Sequence, residues 1–427
     1  MQVLISGKGL LVAGDGTIGD EPPSSQTDTN RTTSNPEIVS LLQAEIARDG
    51  PISMARFMER ALYEPGIGYY QTADRRPGRG GDFLTSPELH AFFGFTIARQ
   101  IAECWERLGR PDPFTVREYG PGVGGLAYDI LAALSVYDPD VRAVVEYRLV
   151  DVNPHRMQDA LHAMAEVGLA DIVSVESPHD AASNPITGFV LANEVADAFP
   201  VHQLVVERGT LRERLVTWNS EIGWFAPVVG VLSAPVSRLD IPSYLAAQGV
   251  DLASLPDGSL LEISPAAARW MREVAAGLTR GYALIVDYGY PAHELYRDHR
   301  LGGLLRGYLA HTVTDDPFVA IGEQDLTAHV DFSTLVQAAE QSGMVVAGLT
   351  TQGDFLAHLG MGDFLIDLQQ QPDVGIDVYY ETQGAVMRLI DPGGLGRFRV
   401  LGLAMNAPIQ PVLRGFAVPG LLSELNI

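Results

Sequence analysis

"FTVREYGPGVGGLAYDILAAL" occupies residues 114–134, and its reading decides the fold. The run "FTVREYG" has the β-branched and aromatic content of a short buried strand, and "GGLAYDILAAL" has the composition of a helix. Between them Gly120, Gly122 and Gly125 satisfy G-x-G-x-x-G. Glycine is required there because the chain turns sharply from strand to helix and the backbone must approach a ligand closely. The helix that follows offers free N–H groups at its start. By itself the match does not separate a dinucleotide from S-adenosyl-L-methionine.

Outward from this turn the pattern repeats. "VEYRLVDV" reads as a strand and "PHRMQDALHAMAEVG" as a helix, and "DIVSVE" and "GFVLANE" are further short strands. Strands alternating with helices imply an α/β fold, a mostly parallel sheet covered on both faces. Ligands of such sheets bind at the carboxyl ends of the strands. At 203–260 the period changes to two, as in "HQLVVERGTLRERLVTWNSEIGWFAP", which reads as antiparallel hairpins inserted into the sheet. The α/β pattern resumes with the helix "SPAAARWMREVAAGL" and the strand "YALIVDYG", then a helix near 332–342 and strands near 344–350 and 397–405. Ahead of the sheet, "EIVSLLQAEIARDG", "ISMARFMERALY" and "LHAFFGFTIARQIAECWERLG" have helical periodicity, with a long Gly/Pro-rich loop at 66–88 before the last.

These patterns divide the 427 residues into a disordered tail at 1–36, a helical part with a closing loop at 37–112, and a core whose first half is 113–202. An inserted substrate-facing lobe at 203–260, the second half of the core at 261–410 and a tail at 411–427 follow. Hydrophobic residues make up 46%, enough for a sizeable core, and the net charge of −24 repels phosphate backbones, which argues against nucleic acid. Cys104 is the only cysteine, so no intrachain disulfide and no cysteine-based metal site is expected; "PAHELYRDH" misses H-E-x-x-H, so no metal site is assigned. The start lacks a signal-peptide pattern and no apolar run reaches membrane-spanning length, so a soluble cytoplasmic protein is expected.

Three features favour a methyl donor over a hydride donor on the glycines. Glu118 stands two residues before Gly120, where a carboxylate suits an ammonium and repels a pyrophosphate. Asp151 ends the next strand, where an acid accepts hydrogen bonds from ribose hydroxyls, although it lies 26 residues beyond Gly125, later than the roughly 20 of dinucleotide sites. The fourth strand ends in "LANEVADAFP", which places polar groups at the reactive end of a cofactor.

The motifs "GDFLTSPE" (81–88), "EYGPGVGG" (118–125), "LVDVNP" (149–154), "ANEVADAFPVHQ" (192–203), "LEISP" (261–265), "LIVDYGY" (284–290) and "DLTAHVDF" (325–332) resemble, in order and spacing, those of the MidA-like S-adenosylmethionine-dependent methyltransferases. The resemblance runs from about Pro51 to Gly360. It implies a class I, Rossmann-like methyltransferase core with an N-terminal helical part and an inserted α+β lobe, and S-adenosyl-L-methionine as cofactor. It further implies that Glu118, Gly120, Gly122 and Gly124 wrap the methionine part and that Asp151 and Val152 meet the ribose. Phe83, Thr85, Ser86 and Glu88 would close over the site, and Asn193 and Glu194 would stand beside the transferable methyl. The family's mitochondrial member methylates an arginine of a respiratory complex I subunit, so a protein arginine is the implied acceptor. Where the family reads N-E-F-F-D-A-L-P this chain has "NEVADAFP", which alters the acceptor wall.

An arginine acceptor is always cationic, so a carboxylate must bind its guanidinium. Glu194 is the first choice, and Asp197 shares its face if a helical turn begins there. His202 is a candidate proton acceptor or a structural histidine. His329 and Asp331 read as a structural latch, and Arg306 and Tyr308 as orienting residues or solvated loop. Two other readings stay open: a small-molecule methyltransferase of a biosynthetic pathway, and a non-catalytic cofactor-binding assembly factor. The inserted hairpins offer a surface for a homodimer or a protein partner.

Overall fold

The computed structural model describes residues 33–72, 85–297, 302–309 and 312–417. Its centre is a seven-stranded sheet of β1 (Phe114–Tyr119), β2 (Val145–Val150), β3 (Val173–Glu176), β4 (Ile186–Asn193), β5 (Leu278–Asp287), β6 (Val345–Thr351) and β7 (Arg399–Met405), ordered β6-β7-β5-β4-β1-β2-β3. The first five strands are mutually parallel, and β7 is antiparallel to both its neighbours. This is the α/β class I methyltransferase architecture read from the sequence. The order reverses between β1 and β4, and a parallel sheet opens a crevice there, at the carboxyl ends of the strands.

Every residue of β1 is buried, because helices cover both faces. On one face Ile97 and Ile101 of helix Phe92–Arg107 and Ile130 and Leu134 of helix Gly125–Tyr137 pack on Phe114 and Val116. On the other, Trp270 and Val274 of helix Pro265–Ala276 and Leu335 and Ala339 of helix Phe332–Gln341 pack on Val190 and Ile285. Arg117 is the buried cation inside β1. It is fully buried, and it donates to Glu176 and to the carbonyls of Ala181, Gly277 and Asn184, which satisfies its planar fork.

The second sheet is antiparallel and joins Ile52–Ser53, His202–Glu207, Thr210–Asn219, Trp224–Gly230 and Leu260–Ile263. It therefore reaches beyond the expected lobe at 203–260 on both sides, because its hydrogen bonds recruit a strand from the N-terminal part. Helices Pro36–Asp49 and Met54–Tyr63 bury Ile38, Leu42, Phe57 and Met58 against Val216, Trp224 and Phe225 of this sheet. Asn35 and Ser53 cap these helices by accepting backbone N–H groups.

Parts of both expected tails belong to the fold, and residues 1–32 and 418–427 lie outside the described residues. Ser34 is buried and accepts from the Ile321 amide, and the Asn35 amide donates to the Ile321 carbonyl, so residues 34–36 belong to the packed lobe. At the other end Leu413 and Phe416 are buried, with the Phe416 ring lying in the space left by Gly348 and Gly402. A polar composition had hidden the first segment, and the second carries its apolar side chains singly. Among the described residues no helix is long and apolar enough to cross a membrane.

Candidate active site

A cavity of about 320 Å³ opens at the carboxyl ends of β1, β2 and β4. Gly120 and Gly122 form its floor, with φ of +63° and +56°, which only glycine adopts without strain. A Cβ on Gly120 would stand 2.7 Å from Val195 Cγ2, whereas nothing lies within 4 Å of the corresponding position on Gly122. Asp151 and Val152 line the cavity at the end of β2. The Asp151 carboxylate accepts from the Asn153 amide at 2.8 Å; burial raises its pKa, while that bond and Arg156 oppose the rise. The cavity volume, the open glycine backbone and an acid at the second strand end fit an adenosyl ligand with a ribose and a zwitterionic amino-acid end.

Glu194 follows β4 and lines the same cavity. Its φ is +54°, an uncommon conformation for a residue with a side chain, which costs roughly 1–3 kcal/mol. Its Oε1 accepts the Ser86 amide at 3.2 Å and Asn193 Nδ2 at 3.0 Å. Among the described residues no hydrogen bond and no ion pair engages its Oε2. Burial pushes the carboxyl up to about 7, and Glu88 and Asp325 push the same way against the two hydrogen bonds. Asp197 is also near 7, raised by burial and by Glu194, and Asp287 is pushed upward by burial, Asp197 and Glu194.

The structure brings together Gly120, Gly122, Asp151, Val152 and Glu194 on the cavity wall, with Asn193 and Ser86 bonded to Glu194. Thr85 and Glu88 sit in the same closing segment, where the Thr85 amide and hydroxyl donate to Glu88 Oε2. Phe83 lies outside the described residues. Asp197 is buried behind Glu194 and does not line the cavity.

Three expected residues stand elsewhere. Glu118 does not line the cavity: strand side chains alternate, Tyr119 takes the cavity side, and Glu118 points into the opposite layer, where Tyr147 donates to it at 2.7 Å. Burial raises that carboxyl to about 7. Gly124 caps helix Gly125–Tyr137 with φ of +85°, beside Met164 rather than the cavity. His202 lies in the second sheet, its Nδ1 2.7 Å from Glu213 Oε1, with Ser233 beside the pair; it does not line the cavity, which favours the structural alternative. Asp331 caps helix Phe332–Gln341 and accepts from Tyr244 and Tyr296, and His329 packs against Tyr288 and Tyr290, as a latch would. Arg306 pairs with Asp315 and donates to the Leu305 carbonyl.

Sequence reasoning missed Tyr63, Tyr70, Arg156, Phe199 and Trp270, which complete the cavity wall. Tyr63 donates to the Ala198 carbonyl at 3.0 Å and Tyr70 to Asp325 at 2.5 Å, so the N-terminal part closes the site. Two adjacent tyrosines in a Gly-rich loop, "GIGYYQ", were the available signal, since a solvated loop has no use for them.

A sequence profile of the family described as "Putative S-adenosyl-L-methionine-dependent methyltransferase" matches residues 96–350. The protein arginine methyltransferase NDUFAF7 homolog, mitochondrial, of Drosophila melanogaster is 31% identical over 372 residues, covering 81% of this chain and 80% of its own. The human protein arginine methyltransferase NDUFAF7, mitochondrial, is 28% identical, covering 89% and 87%. A crystal structure from Burkholderia thailandensis bound to S-adenosyl-homocysteine is similar with a TM-score of 0.75 and 32% identity, over 93% of this chain and 97% of its own. The mitochondrial names of the curated relatives overturn the expectation of a cytoplasmic protein. That expectation rested on the lack of a secretory signal and a membrane span, and neither distinguishes one aqueous compartment from another.

Proposed function

We infer the reaction from one premise: this chain belongs to the S-adenosyl-L-methionine-dependent methyltransferase family, and it uses that cofactor. We propose that it transfers the methyl to an arginine side chain of a protein partner. The observation that carries this reading is Glu194, a half-buried cavity carboxylate with Oε1 accepting two hydrogen bonds and Oε2 without a partner among the described residues. A guanidinium supplies both the N–H donor and the positive charge that such a group lacks. The curated relatives named as protein arginine methyltransferases support the same acceptor.

When bound, the cofactor supplies an electrophilic methyl on a sulfonium. Gly120 and Gly122 would hold its amino-acid end and Asp151 with Val152 its ribose. Glu194 would hold the acceptor guanidinium through Oε2 and localise its charge away from the attacking nitrogen. Asn193 and the Ser86 amide keep Glu194 Oε1 in place. Tyr63 and Tyr70 exclude water from the opposite wall. A net charge of −24 favours a basic partner.

The test is methyl transfer from radiolabelled S-adenosyl-L-methionine to a peptide library with one central arginine, beside the same library with lysine. Methylarginine in the first and no label in the second is the expected result. Label in neither, with cofactor binding intact by calorimetry, overturns the arginine reading.

A further inference from the structure

We infer that Asp287 is a positioning residue for Glu194: its carboxylate holds the backbone of 194–197 in the conformation that aims Glu194 into the cavity. The inference rests on the reading of Glu194 as the group that binds the acceptor.

The geometry is a short chain of hydrogen bonds. β4 and β5 are parallel neighbours in register, with Asn193 opposite Val286. The Glu194 amide extends that ladder by donating to the Val286 carbonyl at 2.8 Å. The chain then leaves the sheet. Glu194 is left-handed, with φ of +54°, and Val195 follows with φ of −121° and ψ of −39°. The amides that follow lie at the start of the single helical turn Ala196–Ala198, where N–H groups have no partner within the turn and point toward an acceptor ahead of it. Here the acceptor is the chain's own. Asp287 Oδ2 accepts the amides of Val195 at 3.1 Å, Ala196 at 2.8 Å and Asp197 at 3.3 Å, and Oδ1 accepts the Tyr288 amide at 2.8 Å.

Without this carboxylate the amides of 195–197 lose their acceptor, and the strain at residue 194 loses one of the contacts that offset it. The relaxed alternative is a negative φ there, which swings the Glu194 side chain away from its bonds to Ser86 and Asn193. Asp287 is fully buried and does not line the cavity, so it acts through Glu194 and not on a ligand. Its position also explains why an acid terminates β5 in "LIVDYGY", at a strand end that faces the interior.

The experiment compares full-length wild type, Asp287→Ala, Asp287→Asn and Glu194→Gln. Three quantities are read: S-adenosyl-homocysteine affinity by calorimetry, kcat and KM for an arginine-bearing peptide, and amide hydrogen exchange of residues 195–197. Asp287→Ala is expected to lower kcat about 100-fold, with cofactor affinity held within about threefold, and to speed exchange at 195–197 at least about tenfold. Asp287→Asn keeps an oxygen for the three amides and loses only the partner of Tyr288, so it recovers about tenfold of the lost rate. Equal losses in the Ala and Asn variants would assign Asp287 a charge role and overturn the positioning. Wild-type kcat, or unchanged exchange at 195–197, in Asp287→Ala would overturn it as well. If Asp287→Ala does not fold, Asp287→Asn decides: near-wild-type exchange at 195–197 with a kcat loss of about tenfold supports the positioning, and a loss of about 100-fold with that exchange unchanged overturns it. A wild-type protein that leaves the peptide unmethylated overturns the proposed function, and the exchange measurement then decides the Asp287 assignment alone.

Discussion

The backbone amide of Ser86 donates to Glu194 Oε1 at 3.2 Å across 108 residues of sequence. The segment ahead of the sheet thus completes the carboxylate that the sheet presents, and it consumes one oxygen while leaving the other to the cavity. Removing the charge without the shape isolates this arrangement. Glu194→Gln is expected to lower kcat at least about 100-fold while S-adenosyl-homocysteine affinity changes less than about threefold. Steady-state kinetics beside calorimetry checks it, and a parallel loss of affinity would place Glu194 in cofactor binding instead.

Gly120 is held from two directions. Its φ is +63°, and a Cβ would lie 2.7 Å from Val195 Cγ2. Gly120→Ala is expected to destabilise the fold by about 1–3 kcal/mol and to weaken S-adenosyl-homocysteine binding by at least about tenfold. Gly120→Ala with Val195→Ala should recover part of both losses, since it removes the clash and keeps the backbone strain. Thermal melts and calorimetry on the three variants distinguish the two contributions.

Activity should depend on pH through Glu194. Its pKa is pushed up to about 7 by burial, so the carboxylate proposed to bind a guanidinium is neutralised below that value. The expected kcat/KM rises with pH through about 7 and flattens above, a limb that Glu194→Gln should abolish. A profile flat from pH 5.5 to 8.5 in both proteins would remove Glu194 from the rate.

Stability should run the other way. Glu118, Asp129, Glu194 and Asp197 all have folded-state pKa values raised to about 7 by burial. Between about pH 4.5 and 7 the native state therefore holds protons that the unfolded chain has released, and stability falls as pH rises through that window. The free protein should melt at a higher temperature at pH 5.5 than at pH 8.

His202 should matter for folding rather than for rate. Its Nδ1 meets Glu213 Oε1 at 2.7 Å with both side chains buried. His202→Ala leaves Glu213 with Ser233 alone and is expected to cost about 3 kcal/mol of stability, with kcat at low temperature nearly unchanged. Chemical denaturation and kinetics on one preparation test both halves.

The sequence by itself determined the sheet and the strand-end cavity proposed to take the cofactor. Strand–helix alternation, the glycine turn at 120–125 and the acid at 151 are local patterns, legible because a tight turn and a strand-end carboxylate demand particular residues at particular spacings. The same logic found Glu194. Tertiary structure alone decided what each side chain does. The alternation of strand faces sent Glu118 to Tyr147 and gave the cavity to Tyr119. Sheet pairing drew His202 to Glu213, and the return of the N-terminal part placed Ser86, Tyr63 and Tyr70 on the active site. Those outcomes depend on contacts between residues tens to hundreds of positions apart, and a pattern read along one chain carries no record of which distant groups will meet.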